Sequence, residues 1–123
     1  MILVDTSVWI DHLRSGDEQL TQLLHQGRVL AHPFVTGEIS LGNLANRSGI
    51  INALLSLPTA PVATDAEVLR FIDDARLFGS GIGYTDAHLL AACLLHPGST
   101  LWTRDRRLLA NATRMNLAAN TAH

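Results

Sequence analysis

The strongest constraint on this chain is a rhythm in which apolar runs of three or four residues alternate with longer stretches of helical periodicity. Ile2-Leu3-Val4, Val29-Leu30-Ala31, Pro61-Val62-Ala63 and Thr100-Leu101-Trp102-Thr103 are the short runs. Continuous apolar residues over so few positions suit strands buried on both faces. Between them lie helical segments. Thr6 to Leu13 reads as one, and Asp17 to Gln26, closed by Gly27, as a second. Pro33 suits the first turn of a helix carrying Val35, Ile39, Leu41 and Leu44. Ser48 opens another, stopped by Pro58. Thr64 and Glu67 form a Thr-x-x-Glu capping box ahead of Val68, Leu69, Ile72 and Ala75. Tyr84 to Leu95 is a strongly apolar helix, and Asp105 to Ala112 a short final one. Such alternation specifies an α/β fold in which helices flank a short parallel sheet of four to five strands. A fifth strand would lie near Met115-Asn116-Leu117, in a polar tail, 113–123, that is otherwise expected to fray.

A length of 123 residues fits one domain, taken as 1–123, and 47% hydrophobic residues are enough for a real core. Cys93 stands alone inside an apolar run, which suits a core thiol in a reducing compartment. No run approaches the roughly 18 apolar residues of a membrane span. The first apolar run is not preceded by a basic region, so no secretion signal is expected and the cytoplasm is the expected location. Every basic residue is Arg. A lysine nucleophile and a phosphate-loop lysine are thereby excluded.

Four acids stand at special places. Asp5 ends the first apolar run, Asp105 follows the last, and Glu38 and Asp86 lie near helix starts. In parallel sheets, sites form outside the carboxyl ends of the strands. A carboxylate there is costly unless something pairs with it. Two carboxylates about 5 Å apart repel by roughly 3 kcal/mol at an effective dielectric near 20. A cluster of four therefore calls for protons or a cation, and Mg²⁺ or Mn²⁺ is the hard, oxygen-preferring choice. Each acid also has a plainer reading. Asp5 would serve as a helix N-cap, Glu38 and Asp86 would complement helix dipoles, and Asp105 would be a surface acid among arginines.

The net charge of −2 argues at first against a nucleic-acid partner. Setting aside the four acids leaves seven against nine arginines, and bound divalent ions would neutralise the cluster itself. Arg104, Arg106 and Arg107 surround Asp105 and would grip phosphate through their planar forks. The alternative for them is an exposed helix start with an intramolecular ion pair. Asp11 reads as a solvent or salt-bridge residue, and His88 as a structural histidine. Trp9 and Trp102 read as core or interface aromatics. Gly79-Ser80-Gly81-Ile82-Gly83 lacks a Walker ending and follows no strand, so it reads as a flexible connection beside the site.

The opening Ile2-Leu3-Val4-Asp5-Thr6-Ser7-Val8-Trp9-Ile10-Asp11 resembles the start of PIN-domain proteins, particularly the VapC-type toxins of prokaryotic toxin–antitoxin pairs. Thr36-Gly37-Glu38-Ile39 with Gly42, then Thr85-Asp86-Ala87-His88-Leu89-Leu90-Ala91, then Leu101-Trp102-Thr103-Arg104-Asp105 match in order. The resemblance spans nearly the whole chain. It implies a compact α/β fold and a metal-dependent endoribonuclease restrained by a cognate antitoxin, commonly a homodimer. It carries the family's acids onto Asp5, Glu38, Asp86 and Asp105, and its hydroxyl positions onto Thr6 and Thr103. Asp5 and Asp86 are expected as principal ligands for Mg²⁺ or Mn²⁺, with Glu38 and Asp105 as ligands or as holders of water. Two other classes remain. A signalling receiver domain also gathers acids around Mg²⁺, but it requires a lysine that this chain lacks. A PIN-like module that binds RNA without cutting would be marked by lost acids, and here all four are present.

Overall fold

A computed structural model describes residues 1–121. The elements run β1 (Ile2–Val4), α1 (Thr6–Ser15), α2 (Glu18–His25), β2 (Val29–Leu30), α3 (Pro33–Ser40), α4 (Arg47–Leu55), α5 (Asp65–Asp74), α6 (Tyr84–Leu95), β3 (Thr100–Trp102) and α7 (Arg106–Arg114). The strands form a parallel sheet in the order β2-β1-β3. Ile2 pairs with Val29 on one side and with Thr100 on the other, and Val4 pairs with Trp102. All three residues of β1 are buried. Because successive side chains point to opposite faces, both faces of the central strand are covered.

The sheet has three strands among the described residues, not the expected four to five. The missing strands shrink to single parallel bridges, Ala31 with Thr59 and Leu101 with Ala118. At the first edge, Ala31 N–H donates to the Pro58 carbonyl at 2.8 Å, and Ala60 N–H returns to the Ala31 carbonyl at 2.8 Å. Pro58 and Pro61 flank this contact and lack an N–H, so no longer ladder forms and Pro61-Val62-Ala63 is not a strand. At the other edge, Leu101 N–H donates to Leu117 at 2.7 Å and Ala119 N–H to Leu101 at 2.9 Å. The segment after α7 is therefore tied down instead of frayed, with Leu117 and Ala119 buried. Residues 122–123 of the expected tail lie outside the described residues.

The helices begin and end largely where their local chemistry dictates. Thr64 and Glu67 exchange capping bonds at 3.1 and 2.9 Å at the start of α5. α1 runs two residues past its expected end, to Gly16 at φ +75°. Trp102, Leu3, Leu89, Leu90, Leu20 and Leu108 are among the largest wholly buried side chains. Trp9 and Cys93 are buried too, and burial pushes the Cys93 thiol up to about 11, which leaves it unreactive. No helix among the described residues is long and apolar enough to cross a membrane.

The chain passes from β1 through two helices to β2 on one flank, then returns past β1 to β3 on the other. The strand order reverses at β1. A crevice is expected there, beyond the carboxyl ends of β1 and β3.

Candidate active site

Asp5 continues the ladder past β1, its backbone N–H bonded to the Trp102 carbonyl at 2.9 Å. It occupies the N-cap position of α1 but makes no side-chain capping bond, so the plain N-cap reading fails. The carboxylate is only 6% exposed. Its Oδ2 accepts from Ser7 Oγ at 2.7 Å and from Thr103 Oγ1 at 2.7 Å. Those hydroxyls are oriented in turn, because Ser7 Oγ accepts Arg104 N–H and Thr103 Oγ1 accepts Asp105 N–H, both at 3.0 Å. Each hydroxyl thus has its proton aimed at Asp5. Oδ1 carries no hydrogen bond within the described residues.

Ser7 is the member of this network that sequence reasoning left without a role. The available signal was local: a Ser two residues after an Asp at a strand end is placed to bond back to it. Thr103 acts through Asp5. Thr6 serves a different acid, donating to Glu38 Oε1 at 2.9 Å and so linking α1 to α3.

Asp86 stands in the first turn of α6 and accepts Gly83 N–H at 3.2 Å. Its carboxyl is pushed above the usual carboxylate range, first by burial and then by the charges of Asp5, Asp105 and Glu38, with the Gly83 N–H pulling the other way. All three other acids therefore lie near enough to repel it. Asp105 caps α7, its Oδ1 accepting Arg107 and Leu108 N–H at 3.0 Å each. It is a cap and a member of the acidic group at once. The four sequence-identified acids, at the end of β1, on α3, on α6 and at the cap of α7, are close enough that three of them act on the charge of Asp86.

The arginines divide. Arg104 does not offer a free guanidinium as expected for an RNA contact. It donates to Asp11 at 2.7 Å and to Asp17 at 2.6 Å, and its Cζ lies 5.5 Å from the Trp102 ring centroid. Asp17 is held below the usual range by the Leu20 N–H and by this arginine. The intramolecular ion-pair alternative therefore describes Arg104, and Asp11 is its salt-bridge partner. Arg106 and Arg107 are exposed and meet no carboxylate among the described residues. His88 is buried in a ring cluster with His32, Phe34 and Tyr84, away from any catalytic contact with the acids.

The donor set suits a hard divalent ion: carboxylate oxygens, one of them buried and rigidly held, with mutual repulsion that a cation relieves. Among the described residues no three acid, histidine or cysteine side chains are arranged to hold a metal ion between them. An ion held here would therefore take one or two direct carboxylates and keep its waters. The arrangement does not fit a structural zinc site.

The model of the family described as PIN domain matches residues 2–114. The chain is 45% identical over 118 residues to Ribonuclease VapC32 of Mycobacterium tuberculosis, in both strain CDC 1551 / Oshkosh and strain ATCC 25618 / H37Rv. That match covers 96% of this chain and 95% of the relative. The crystal structure of PAE2754 from Pyrobaculum aerophilum superposes with a TM-score of 0.60 at 21% identity, over 89% of this chain and 78% of that one. The last likeness is one of fold.

Proposed function

This chain belongs to the PIN-domain family, and from that premise and its site we propose that it is a metal-dependent endoribonuclease, the toxin of a toxin–antitoxin pair. The whole chain would act as one PIN domain, in the cytoplasm. The observation that carries the reading is the family match along nearly the whole chain; the placing of Asp86, pushed up first by burial and then by the charges of Asp5, Asp105 and Glu38, supports it.

Asp5 and Asp86 would be the principal ligands of Mg²⁺ or Mn²⁺. When bound, the ion supplies Lewis acidity toward the phosphodiester and acidifies the attacking water. The chain's own residues set the geometry. Ser7 and Thr103 hold Asp5 through Oδ2, which leaves Oδ1 for the crevice. Such outer hydrogen bonds orient a ligand and are costly to lose. Thr6 holds Glu38, and the α7 N–H groups hold Asp105. Glu38 and Asp105 would be further ligands or would position water beside the scissile phosphate. Arg106 and Arg107 would hold RNA phosphates.

A cognate antitoxin would restrain the enzyme, an Arg of its chain pairing with the acids and blocking metal and RNA together. Support comes from an apolar groove that includes Ile10, Leu13, Leu44 and Ile50 and reaches Glu38 itself. Homodimerisation through the region between Pro33 and Leu57 is supported by Leu41 and Leu55, both largely exposed. Light scattering on purified protein would test it.

The deciding experiment is cleavage of labelled RNA with Mn²⁺ and with EDTA. Cutting that needs the ion, and that is lost in Asp86→Asn, is expected. Metal-independent cutting, or RNA binding with no cutting under any ion, would overturn the assignment.

A further inference from the structure

Between the end of α5 and the start of α6 lies an open cleft of about 210 Å³, walled by Ile72, Leu77, Phe78, Ile82, Tyr84 and Ala87. Three observations set it apart from the other apolar hollows. The first is its place. Gly83 also lines it, and the Gly83 N–H is the one that Asp86 accepts, so the cleft adjoins Asp86. The second is its aromatic surface. Phe78 is 64% exposed and Tyr84 44%. Tyr84 is already fixed, its hydroxyl donating to Asp65 at 2.6 Å and its ring edge-on to His88 at a centroid distance of 4.8 Å. Little order would be lost when a ligand met it. The third is a neighbouring cation. Arg107 lies across Gly81, at φ +87°, where an added Cβ would stand 2.6 Å from Arg107 Cδ. Only a glycine lets that side chain bridge from α7, beside Asp105, to the loop at the mouth of the cleft.

We infer that, on the ribonuclease reading above, this cleft seats one unpaired nucleobase of the RNA, stacked on Phe78 beside Tyr84, while Arg107 takes the phosphate between that base and the acids. Every base has a π face, and stacking on exposed aromatics is the common device for holding single strands. The walls from Ile72 and Leu77 offer no hydrogen-bonding code. The cleft therefore selects for an unpaired base, in a loop or a single strand, and against a duplex. An apolar side chain of a protein partner would also fill an apolar hollow, but it would leave the adjacent guanidinium unused.

The test takes a pool of mixed-sequence single-stranded RNA oligonucleotides, selects the one cleaved fastest, and replaces its nucleotides one at a time by abasic residues. Phe78→Ala should raise KM about tenfold with kcat little changed, and Phe78→Trp should restore KM. One abasic position should cost the wild type as much as Phe78→Ala does, and should cost Phe78→Ala nothing further. Phe78 is exposed, so the variant should fold, which circular dichroism would verify. An unchanged KM in Phe78→Ala, or losses that multiply at every abasic position, would overturn the proposal. So would an unchanged KM accompanied by weaker inhibition by the cognate antitoxin, which would assign the cleft to a protein. Asp86→Asn is run in parallel. If it cuts like the wild type, the ribonuclease reading of the acids fails; if it is inert while Phe78→Ala behaves as wild type, only the base cleft fails.

Discussion

Asp5 and His32 are both buried polar residues just beyond a strand, one after β1 and the other shortly after β2, yet one is rich in hydrogen-bond donors and the other is nearly without partners. Asp5 receives two hydroxyl hydrogens on one oxygen, each fixed by a backbone N–H behind it. His32 uses Nδ1 to accept Phe34 N–H at 3.1 Å as the cap of α3, while its Nε2 has no partner. His88 lies 6.4 Å away between ring centroids, and neither of its nitrogens is hydrogen-bonded. Burial first, and the neighbouring His88 second, push His32 down to about 4. One strand end thus surrounds its polar group with donors, and the other leaves a ring nitrogen unpartnered and excludes a charge. The lesson is that position beyond a strand does not make a site; the donors gathered around the polar group do.

The sharpest break of this comparison is removal of the charge. Asp5→Asn and Asp86→Asn keep shape but lose the anion, and each should reduce RNA cleavage to background with the fold intact. They should differ in stability. The raised carboxyl of Asp86 means that the folded state binds more protons than the unfolded state between the ordinary value and its own, so metal-free stability falls as pH rises through that window. Asp86→Asn should therefore raise the Tm of the metal-free protein at neutral pH. Mn²⁺ should raise the wild-type Tm by mass action and do so far less in the variant. Full activity in either variant, measured on labelled RNA, would remove that residue from the site.

The histidine side of the comparison predicts a slope of the opposite sign. A base with a lowered value in the fold is protonated first in the unfolded chain. Stability owed to neutral His32 is complete above about 6.5 and is lost as pH falls toward about 4. At about 1.4 kcal/mol per pH unit, the whole loss is about 3 kcal/mol. Urea midpoints across this range, with His32→Asn as the non-titrating control that keeps a capping acceptor, would measure it. An identical slope in the variant would assign the acid sensitivity elsewhere.

How much of this was readable in the residues follows from how local each signal is. The helices, the runs that become β1, β2 and β3, and the capping box at Thr64 and Glu67 are stretches or spacings within a few residues, and the structure has them. The strand count went wrong because each outer strand is a single bridge made by three residues, and neither Pro58-flanked Thr59 nor Ala118 carries a strand's periodicity. The buried pair of His32 and His88 is 56 positions apart and was invisible. The ion pair of Arg104, one of the two readings open in the sequence, could not be given its partners for the same reason. Its partners Asp11 and Asp17 lie 93 and 87 positions away, and only the return of β3 beside β1 brings them together.

That ion pair carries a smaller effect. Arg104→Ala should cost about 1–2 kcal/mol of stability, since it removes two charge-assisted bonds at a partly buried position and frees Asp17. Denaturant unfolding would measure this. A stability equal to wild type would reduce the paired bonds to a surface contact.

The smallest effect separates arginines by task. Arg104 is neutralised by two carboxylates of its own chain, so it has no charge to spend on releasing counterions from RNA. Arg106 and Arg107 face solvent with no such partner among the described residues, on the first turn of the helix that Asp105 caps. Each phosphate that such a residue neutralises contributes about 0.7 to the slope of log affinity against log salt for a single strand. Arg106→Ala and Arg107→Ala should therefore each flatten the slope by about 0.7, whereas Arg104→Ala should leave it unchanged while lowering stability. The measurement is RNA binding by Asp86→Asn, which does not cut, over a range of salt concentrations. A slope altered by Arg104→Ala and by neither of the others would reverse the division, and with it the claim that an arginine's partners in the fold decide whether it is available to RNA.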